Sequence, residues 1–166
     1  MGVLIDDPIC PAYSPFFAYA GVAIGLFFSC LGGAYGTAKC GVGLSSASVI
    51  NKGVIVRGLV APIMAGIIGI YGLVFSIVAM NSVGQTEYPL TQGYAVFGGG
   101  IAVGFTGFSA GMCIGLAGQA GIITFAKDTT SFLSMTLTLI FGEILAIYGM
   151  VIGLILATKK ADCFPK

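Results

Sequence analysis

Residues 131–157 read SFLSMTLTLIFGEILAIYGMVIGLILA and carry one charged side chain, that of Glu143, close to their middle. About 20 helical residues cross the hydrocarbon core of a bilayer, so a helix over this stretch would hold Glu143 near mid-membrane. An ionised carboxyl is costly at that depth, and such residues are rare outside functional sites. Desolvation favours the neutral form, so we expect Glu143 to be protonated in lipid and to ionise only where water or a cation meets it. A carboxyl of this kind can carry a proton.

The composition excludes a soluble domain. Of the 166 residues, 57% are hydrophobic and 8% are charged, which leaves too few polar side chains to cover a folded surface. A net charge of +1 without a basic cluster argues against a nucleic-acid partner. The chain has no histidine, and its five cysteines are scattered, so we expect no disulfide framework, no metal site and no cofactor. We predict an integral membrane protein in contact with the lipid bilayer.

Four apolar runs, at residues 16–38, 59–80, 94–117 and 131–157, are each long enough to span a bilayer. Lipid cannot form hydrogen bonds with the backbone, and a helix satisfies its backbone groups internally. The predicted fold is therefore an all-α bundle of four transmembrane helices in two hairpins. The predicted parts are an N-terminal segment (1–15), a first hairpin (16–80), a connection (81–93), a second hairpin (94–157) and a tail (158–166). Basic residues in the first and third connections place these in the cytosol and the N-terminal segment on the other side.

The two predicted hairpins repeat each other. Ile70-Tyr71-Gly72 recurs as Ile147-Tyr148-Gly149, at a sequence offset of 77. Four glycines recur at an offset of 79: Gly21, Gly25, Gly32 and Gly36 return as Gly100, Gly104, Gly111 and Gly115. We interpret both matches as one duplication and assign the two-residue difference between the offsets to the connection. Glu143 then lies opposite Gly66, so only the second hairpin has the carboxyl.

The recurring glycines predict where helices pack. Each set of four falls within an arc of about 60° on its helix, and such small faces let helix backbones approach closely in lipid. The same face on alternate helices suggests many copies around a crowded axis. On the fourth helix, Gly142, Gly149 and Gly153 lie roughly 80–120° round from Glu143. We therefore expect Glu143 beside a packing seam, shielded by its neighbours but presented to an outside partner.

Three strings in the predicted spans carry a family resemblance. They are LGGAYGTAKCGVG at 31–43, PIMAGIIGIYG at 62–72 and LIFGEILAIYG at 139–149. Together they resemble the duplicated, four-helix proteolipid subunits of vacuolar-type proton-translocating ATPases. The strings at 49–57 and 118–122 depart from the usual family pattern, which suggests a divergent member such as the c-prime form.

The resemblance implies a homo- or hetero-oligomeric ring that turns in the membrane, with the first and third helices inside. It implies that Glu143 carries protons to and from the a subunit of the stator, which has an essential arginine, and that the d subunit of the central stalk is a further partner. By resemblance, Tyr71 is a possible hydrogen-bond partner of the protonated carboxyl. ATP hydrolysis takes place in a separate soluble sector, so the chain is expected to have no catalytic residue. The implied location is a vacuolar, endosomal or other acidic-compartment membrane.

The sequence leaves other functions open. A sodium-carrying rotor subunit would be expected to have hydroxyl or amide side chains where this chain has Ile67 and Ile68, so a proton is favoured. A tetraspan structural proteolipid would normally have a large cysteine-bearing outer loop, and a pore-forming one would have a polar helix face. Glu143 could also be a structural hydrogen-bond donor, and Tyr71 an amphipathic ring packed between helices.

Overall fold

The computed structural model describes residues 11, 13–83 and 88–159, and these residues form helices without a strand. Four helical segments within this part of the chain are long and apolar enough to cross a membrane. The predicted all-α fold with four membrane-spanning helices is confirmed. Most of the predicted N-terminal segment and tail, and part of the central connection, lie outside the described residues. The helices are α1 (Ser14–Ile50), α2 (Ile55–Gly58), α3 (Val60–Val83), α4 (Leu90–Lys127) and α5 (Phe132–Thr158).

Helices α1 and α4 are much longer than the predicted spans at 16–38 and 94–117. The 37 residues of α1 extend for about 55 Å, whereas the hydrocarbon core is about 30 Å thick. The helix continues past residue 38 because Cys40, Gly43 and Ala47 are still buried at helical spacing. Packing therefore stabilises the part of α1 that lies beyond the span predicted from hydropathy.

The bundle is centred on α1 and α4, which make the most extensive contact between two helices. Helix α3 packs mainly against α1 and α5 against α4, and α3 also touches α4 and α5. The two central helices run parallel, because the facing pairs advance together along both chains. These pairs are Gly21 with Gly100, Gly25 with Gly104, Gly32 with Gly111 and Gly36 with Gly115. We call the contact between these two helices, with the eight glycines at its centre, the α1–α4 seam.

No side chain larger than hydrogen fits at several points of the α1–α4 seam. A methyl group at Gly21 would lie 2.6 Å from the Cα of Phe97, and one at Gly32 would lie 2.6 Å from the carbonyl oxygen of Gly107. Because backbone atoms cannot move aside, glycine at these positions sets the distance between the two helices.

The seam repeats at every eleventh position along both helices. On α1, the buried glycines at 21, 32 and 43 follow this spacing, and on α4 the buried glycines at 100 and 111 do the same. A repeat of this length corresponds to about 3.67 residues per turn, so one face stays on the partner along the whole helix and right-handed coiling is favoured. This period explains how two helices of such length remain in contact without diverging.

The turns that end α1 and α4 are equivalent to each other. Each contains a 3₁₀ turn, Lys52–Val54 in the first hairpin and Thr129–Ser131 in the second, again at the sequence offset of 77. Asn51 accepts a hydrogen bond from the Gly53 N–H at 2.9 Å, and Asp128 accepts one from the Thr130 N–H at 3.0 Å. Hydrogen bonds from the Thr130 N–H and hydroxyl hold the pKa of Asp128 below its usual value.

The duplication therefore has one register, the offset of 77, and the two-residue difference that we assigned to the connection is wrong. Equivalent residues of a repeat point in the same direction, whereas the contact faces of α1 and α4 point toward each other. Two residues correspond to about 200° round a helix, which is close to half a turn. Helices α1 and α4 are therefore equivalent at a sequence offset of 77. The glycines match at an offset of 79 because they lie on the two faces that pack against each other.

Each hairpin closes in the same way at this register. A methyl group at Gly72 of α3 would lie 2.6 Å from the Cβ of Ser29 on α1. Its equivalent, Gly149 of α5, lies against Thr106 on α4, and Thr106 is the equivalent of Ser29. The two hairpins therefore share their internal packing as well as their order along the chain.

Candidate functional site

Glu143 lies on α5 and is buried inside the four-helix bundle. Its side chain is 5% exposed, and neither carboxyl oxygen has a hydrogen-bond partner among the described residues. A buried carboxylate without a partner or counter-charge is strongly disfavoured, whereas the neutral acid costs far less. The site therefore suits a carboxyl group that is protonated while it stays in this position.

The burial of Glu143 follows from two different seams along α5. Gly142 and Gly153 face α4, since methyl groups there would lie 3.1 Å from Ile114 Cγ1 and 3.2 Å from the Gly99 carbonyl oxygen. Glu143 is rotated by about 100° from Gly142 and faces α3, where it neighbours Tyr71. Helix α5 thus buries a wider arc than one seam requires.

This arrangement corrects one expectation. Glu143 does lie beside the glycine face of α5, but it is enclosed by α3 rather than presented to an outside partner. The contact of α5 with both α3 and α4 accounts for the difference. For Glu143 to meet a group outside the bundle, its side chain must leave the seam between α3 and α5.

Tyr71 is the polar side chain brought to the carboxyl. It is half-buried on α3 and packs against the core cluster that contains Leu139 and Ala146. Its hydroxyl lies close enough to Glu143 to interact with it electrostatically, although no described residue meets the carboxyl oxygens with hydrogen-bond geometry. The structure therefore brings together the two residues that sequence reasoning associated.

The position equivalent to Glu143 in the first hairpin is open. Gly66 is exposed, and a methyl group added there would meet no other residue of the described ranges within 4 Å. Tyr148, which is equivalent to Tyr71, is 61% exposed. Glu143 and Tyr71 thus meet inside the bundle, between the two hairpins, whereas the equivalent residues Gly66 and Tyr148 both face outward.

Sequence reasoning missed several residues of the α1–α4 seam. Cys40 and Ser29 are fully buried on α1, and each donates a hydrogen bond to a backbone carbonyl of α4, Ile114 at 3.6 Å and Val103 at 3.3 Å. Gly43 also belongs to the seam, since a methyl group there would lie 2.9 Å from the Gln119 Cα. Positions 29 and 40 share the spacing of glycines 32 and 43, and that spacing is the signal that could have identified them. Among the described residues, no cluster of histidine, cysteine, aspartate or glutamate could hold a metal ion.

Comparison with known proteins supports the duplication and its register. The family model that describes the C subunit of ATP synthase matches residues 20–79 and again residues 97–156. The two matched stretches have equal length, and they begin at the same offset of 77 that relates the two helix-ending turns. Together they cover more than half of the chain.

Curated relatives are similar over nearly the whole chain. The V-type proton ATPase 16 kDa proteolipid subunit of Entamoeba dispar is 42% identical over 159 residues, covering 95% of this chain and 90% of the relative. The protein of the same name from Chrysotila carterae is 41% identical over 160 residues, covering 93% and 98%. The c-prime subunit of the V-type proton ATPase of Candida glabrata is 38% identical over 161 residues, covering 96% and 98%. The resemblance in the three sequence strings is confirmed, and the chain belongs to the proteolipid subunits of V-type proton ATPases.

Proposed function

We propose that this chain is a proton-carrying subunit of the rotor ring of a V-type proton ATPase, with Glu143 as the carrier. The observation that supports it most is the carboxyl itself, which is enclosed at 5% exposure and has no hydrogen-bond partner within the part of the chain that the structure describes. Such a group is stable only when neutral, and it can cross lipid in that form. The relatives, which are named as V-type proton ATPase subunits, supply the context.

The proposed cycle alternates the charge of one side chain. Glu143 takes a proton through one half-channel of the stator's a subunit and travels through lipid as the neutral acid. Near the essential arginine of that stator, the cation favours the carboxylate, and the proton leaves through a second half-channel. ATP hydrolysis takes place in the soluble sector, which turns the ring through the central stalk with its d subunit, and this chain holds no catalytic residue.

Small residues on the outer sides of α1 and α4 support ring assembly. Applying the offset of 77 to the seam glycines of α1 gives Gly98, Ala102, Ser109 and Cys113 of α4, all of which are small and are exposed or half-buried. Applying it in reverse to the seam glycines of α4 gives Ala23, Phe27, Ala34 and Ala38, which are exposed on α1 and, except for Phe27, small. In the ring, α4 of one copy packs against α1 of the next in the way that α1 packs against α4 within the chain.

Applying the offset of 77 to α3 and α5 predicts two kinds of contact between neighbouring helices around the outside of the ring. Within each chain, Glu143 of α5 faces Tyr71 of α3. Between chains, Gly66 of α3 faces outward toward the neighbouring α5, where the equivalent of Tyr71 is the exposed Tyr148. The ring therefore carries one proton site for every four helices, and carboxyl seams alternate with seams that lack one.

A proton suits this site better than sodium. Bound sodium requires several oxygen ligands, because a hard cation must replace its hydration shell. Tyr71 is the one polar side chain that the described residues bring to Glu143, its carboxyl oxygens have no hydrogen-bond partner in that part of the chain, and Ile68 of α3 is fully buried. A ring of this type acidifies the far side of its membrane, so we place it in a vacuolar, endosomal or other acidic-compartment membrane.

Two substitutions of Glu143 in the assembled ATPase test the proposed function. Glu143→Gln keeps the size and hydrogen-bonding capacity of the neutral acid but cannot ionise, so ATP-driven proton uptake into vesicles should fall to background while the ring still assembles. Glu143→Asp keeps the acid and should retain part of the activity. Proton uptake by the Gln variant at the wild-type rate would overturn the carrier role.

A further inference from the structure

A groove of about 270 Å³ lies between α4 and α5, beside the turn that connects them. Its lining includes Ala117 and Thr124 of α4, Ser131 of the turn, and Met135 and Thr138 of α5. Met135 forms the floor at 5% exposure, and the other four residues are half-buried or exposed. This α4–α5 groove is thus closed toward the core and open at the side.

The first hairpin has the same surface, but there it is covered. The equivalents of the five lining residues at the offset of 77 are Cys40, Ala47, Val54, Gly58 and Ala61, all buried. They are covered by the second hairpin. A methyl group at Gly118 of α4 would lie 3.2 Å from the Ala61 Cβ, and one at Gly58 would lie 3.5 Å from Ile122 Cγ2. The α4–α5 groove is therefore a surface that a further hairpin in the equivalent position would cover.

The repeat register identifies which residues of a further hairpin would lie in the groove. The second hairpin covers the first with residues of α4 that include Ile114, Gly118, Ile122 and Phe125. Their equivalents at the offset of 77 are Thr37, Gly41, Ser45 and Ser48 of α1. These four residues are spaced by three or four positions, so they share one face of the helix, and each is exposed or half-buried. We call this face the α1 serine face.

The groove and the α1 serine face are complementary in size. Within the chain, the large Ile122 lies against the small Gly58. The equivalent pair between copies is Ser45 with Met135, so the large residue now belongs to the groove and the small one to the helix that enters it. The corresponding face of α4 carries Ile122 and Phe125 and is bulkier, so the groove favours α1 over α4 as its occupant.

The two surfaces are also complementary in polarity. The contact within the chain belongs to an apolar core cluster. At equivalent positions, the groove and the α1 serine face carry hydroxyl groups, those of Thr124, Ser131, Thr138, Thr37, Ser45 and Ser48. Thr138 donates to the Ser134 carbonyl and Ser45 to the Val42 carbonyl, both at 2.9 Å, so their lone pairs stay free to accept hydrogen bonds. Lipid offers no hydrogen-bond donor, whereas a second row of hydroxyl groups, with water shared between the rows, does.

We propose that the α4–α5 groove binds the α1 serine face of a second copy of this chain. Repeating once more the step that relates the first hairpin to the second brings the two surfaces together. The inference rests on the ring in the proposed function, and it names the surfaces that join neighbouring copies near the α4–α5 turn. It also sets their order, because the second hairpin of one copy receives the first hairpin of the next.

Disulfide cross-linking tests this contact directly. Within the chain, a methyl group at Gly118 lies 3.2 Å from the Ala61 Cβ, close to the Cβ separation in a disulfide. The equivalent pair between copies is Gly41 with Thr138. In the assembled ATPase, with the natural cysteines replaced, one copy carries Gly41→Cys and a second, differently tagged copy carries Thr138→Cys. Mild oxidation should link the two tagged chains into a dimer that a reducing agent separates.

A cysteine on the lipid face provides the matched control. Ile140 lies about 200° round α5 from Thr138, and both Ile140 and its equivalent Ile63 are exposed. Gly41→Cys is expected to fold, since a methyl group there would meet no other described residue within 4 Å. Its dimer with Ile140→Cys should be at least about tenfold less abundant than its dimer with Thr138→Cys, because only the second pair has disulfide geometry. Equal yields from the two pairs, or assembled rings without any dimer, would overturn the proposed contact.

A conservative substitution tests the role of the hydroxyl groups. Thr138→Val removes one groove hydroxyl and keeps the side-chain shape, so the fraction of chains that stay in the ring in detergent should fall at least about twofold. Thr136→Val is the matched control, since Thr136 lies outside the groove lining and donates to the Phe132 carbonyl at 2.9 Å. Equal ring stability of the two valine variants would contradict a polar contact between copies.

The contact between copies and the carrier role of Glu143 can fail separately. Rings that pump protons but give no dimer between Gly41→Cys and Thr138→Cys would overturn the contact and leave Glu143 as the carrier. Failure of the carrier appears instead as full proton uptake by Glu143→Gln, whichever cysteine pairs are linked.

Discussion

The two hairpins are alike along α1 and α4 and differ at one level of α3 and α5. Both central helices keep the same spacing of small residues, and both hairpins close through equivalent pairs, Gly72 with Ser29 and Gly149 with Thr106. At the carboxyl level, α3 has the open glycine Gly66 where α5 has the buried acid Glu143. The difference shows that packing and proton chemistry are separable in this fold, because one hairpin has the first without the second.

The largest effect, on folding and ring assembly, is expected when a large side chain replaces a glycine of the packing pattern that the two hairpins share. Gly111→Leu places a side chain against the backbone of Gly32, so α1 and α4 cannot approach and the folded subunit should be lost. Gly98→Leu is the matched variant, since no other residue that the structure describes lies within 4 Å of a methyl group there. It should leave the chain folded and prevent ring assembly, which native gels and protease resistance in detergent would distinguish. Equal behaviour of the two variants would contradict the assignment of Gly98 to a contact between copies.

The next effect comes from moving the carboxyl between hairpins. If the two kinds of outer seam are equivalent in the ring, Gly66→Glu combined with Glu143→Gly places the acid near Tyr148 of a neighbouring copy at the same depth. Proton uptake should recover at least about tenfold over Glu143→Gly alone. A double variant that assembles into rings but shows no recovery would show that the seam between α3 and α5 of one chain has features that the equivalent seam lacks.

The smallest effect is expected at the tyrosines. Tyr71→Phe removes the hydroxyl beside Glu143 and should change the rate of proton uptake by about two- to tenfold, the range for one hydrogen bond to a functional group. Tyr148→Phe provides the control in the other hairpin, because Tyr148 is 61% exposed. An equal change in both variants would reduce Tyr71 to a packing role.

The sequence predicts the four spans and the carrier because hydropathy and a single charge in lipid are local properties. Burial of Glu143 by α3 could not be predicted in this way, because it depends on which helices α5 contacts. Tyr71 and Tyr148 stand in the same Ile-Tyr-Gly string, yet one neighbours the carboxyl and the other is exposed. Only the order of the helices in space separates them. The repeat register was likewise obscured, because helices that face each other and helices that are equivalent produce glycine patterns at different offsets.

The continuation of α1 beyond residue 38 has a similar cause. Lys39 and a run of serines at 45, 46 and 48 indicate that the membrane span has ended. The helix nevertheless continues to Ile50 because Gly43 and Ala47 remain in contact with other helices. Hydropathy reports the bilayer boundary, whereas the length of a helix is decided by what it packs against.

Modification by a hydrophobic carbodiimide tests most directly whether Glu143 is a neutral carrier, because the reagent enters lipid and reacts with protonated carboxyl groups. The assembled ATPase is treated at neutral pH with and without saturating sodium, and modified peptides are identified by mass spectrometry. Glu143 should be modified at the same rate in both conditions, with the exposed Asp128 unmodified as an internal control. An unreactive Glu143, or a Glu143 protected by sodium, would contradict a proton carrier that is neutral within the membrane.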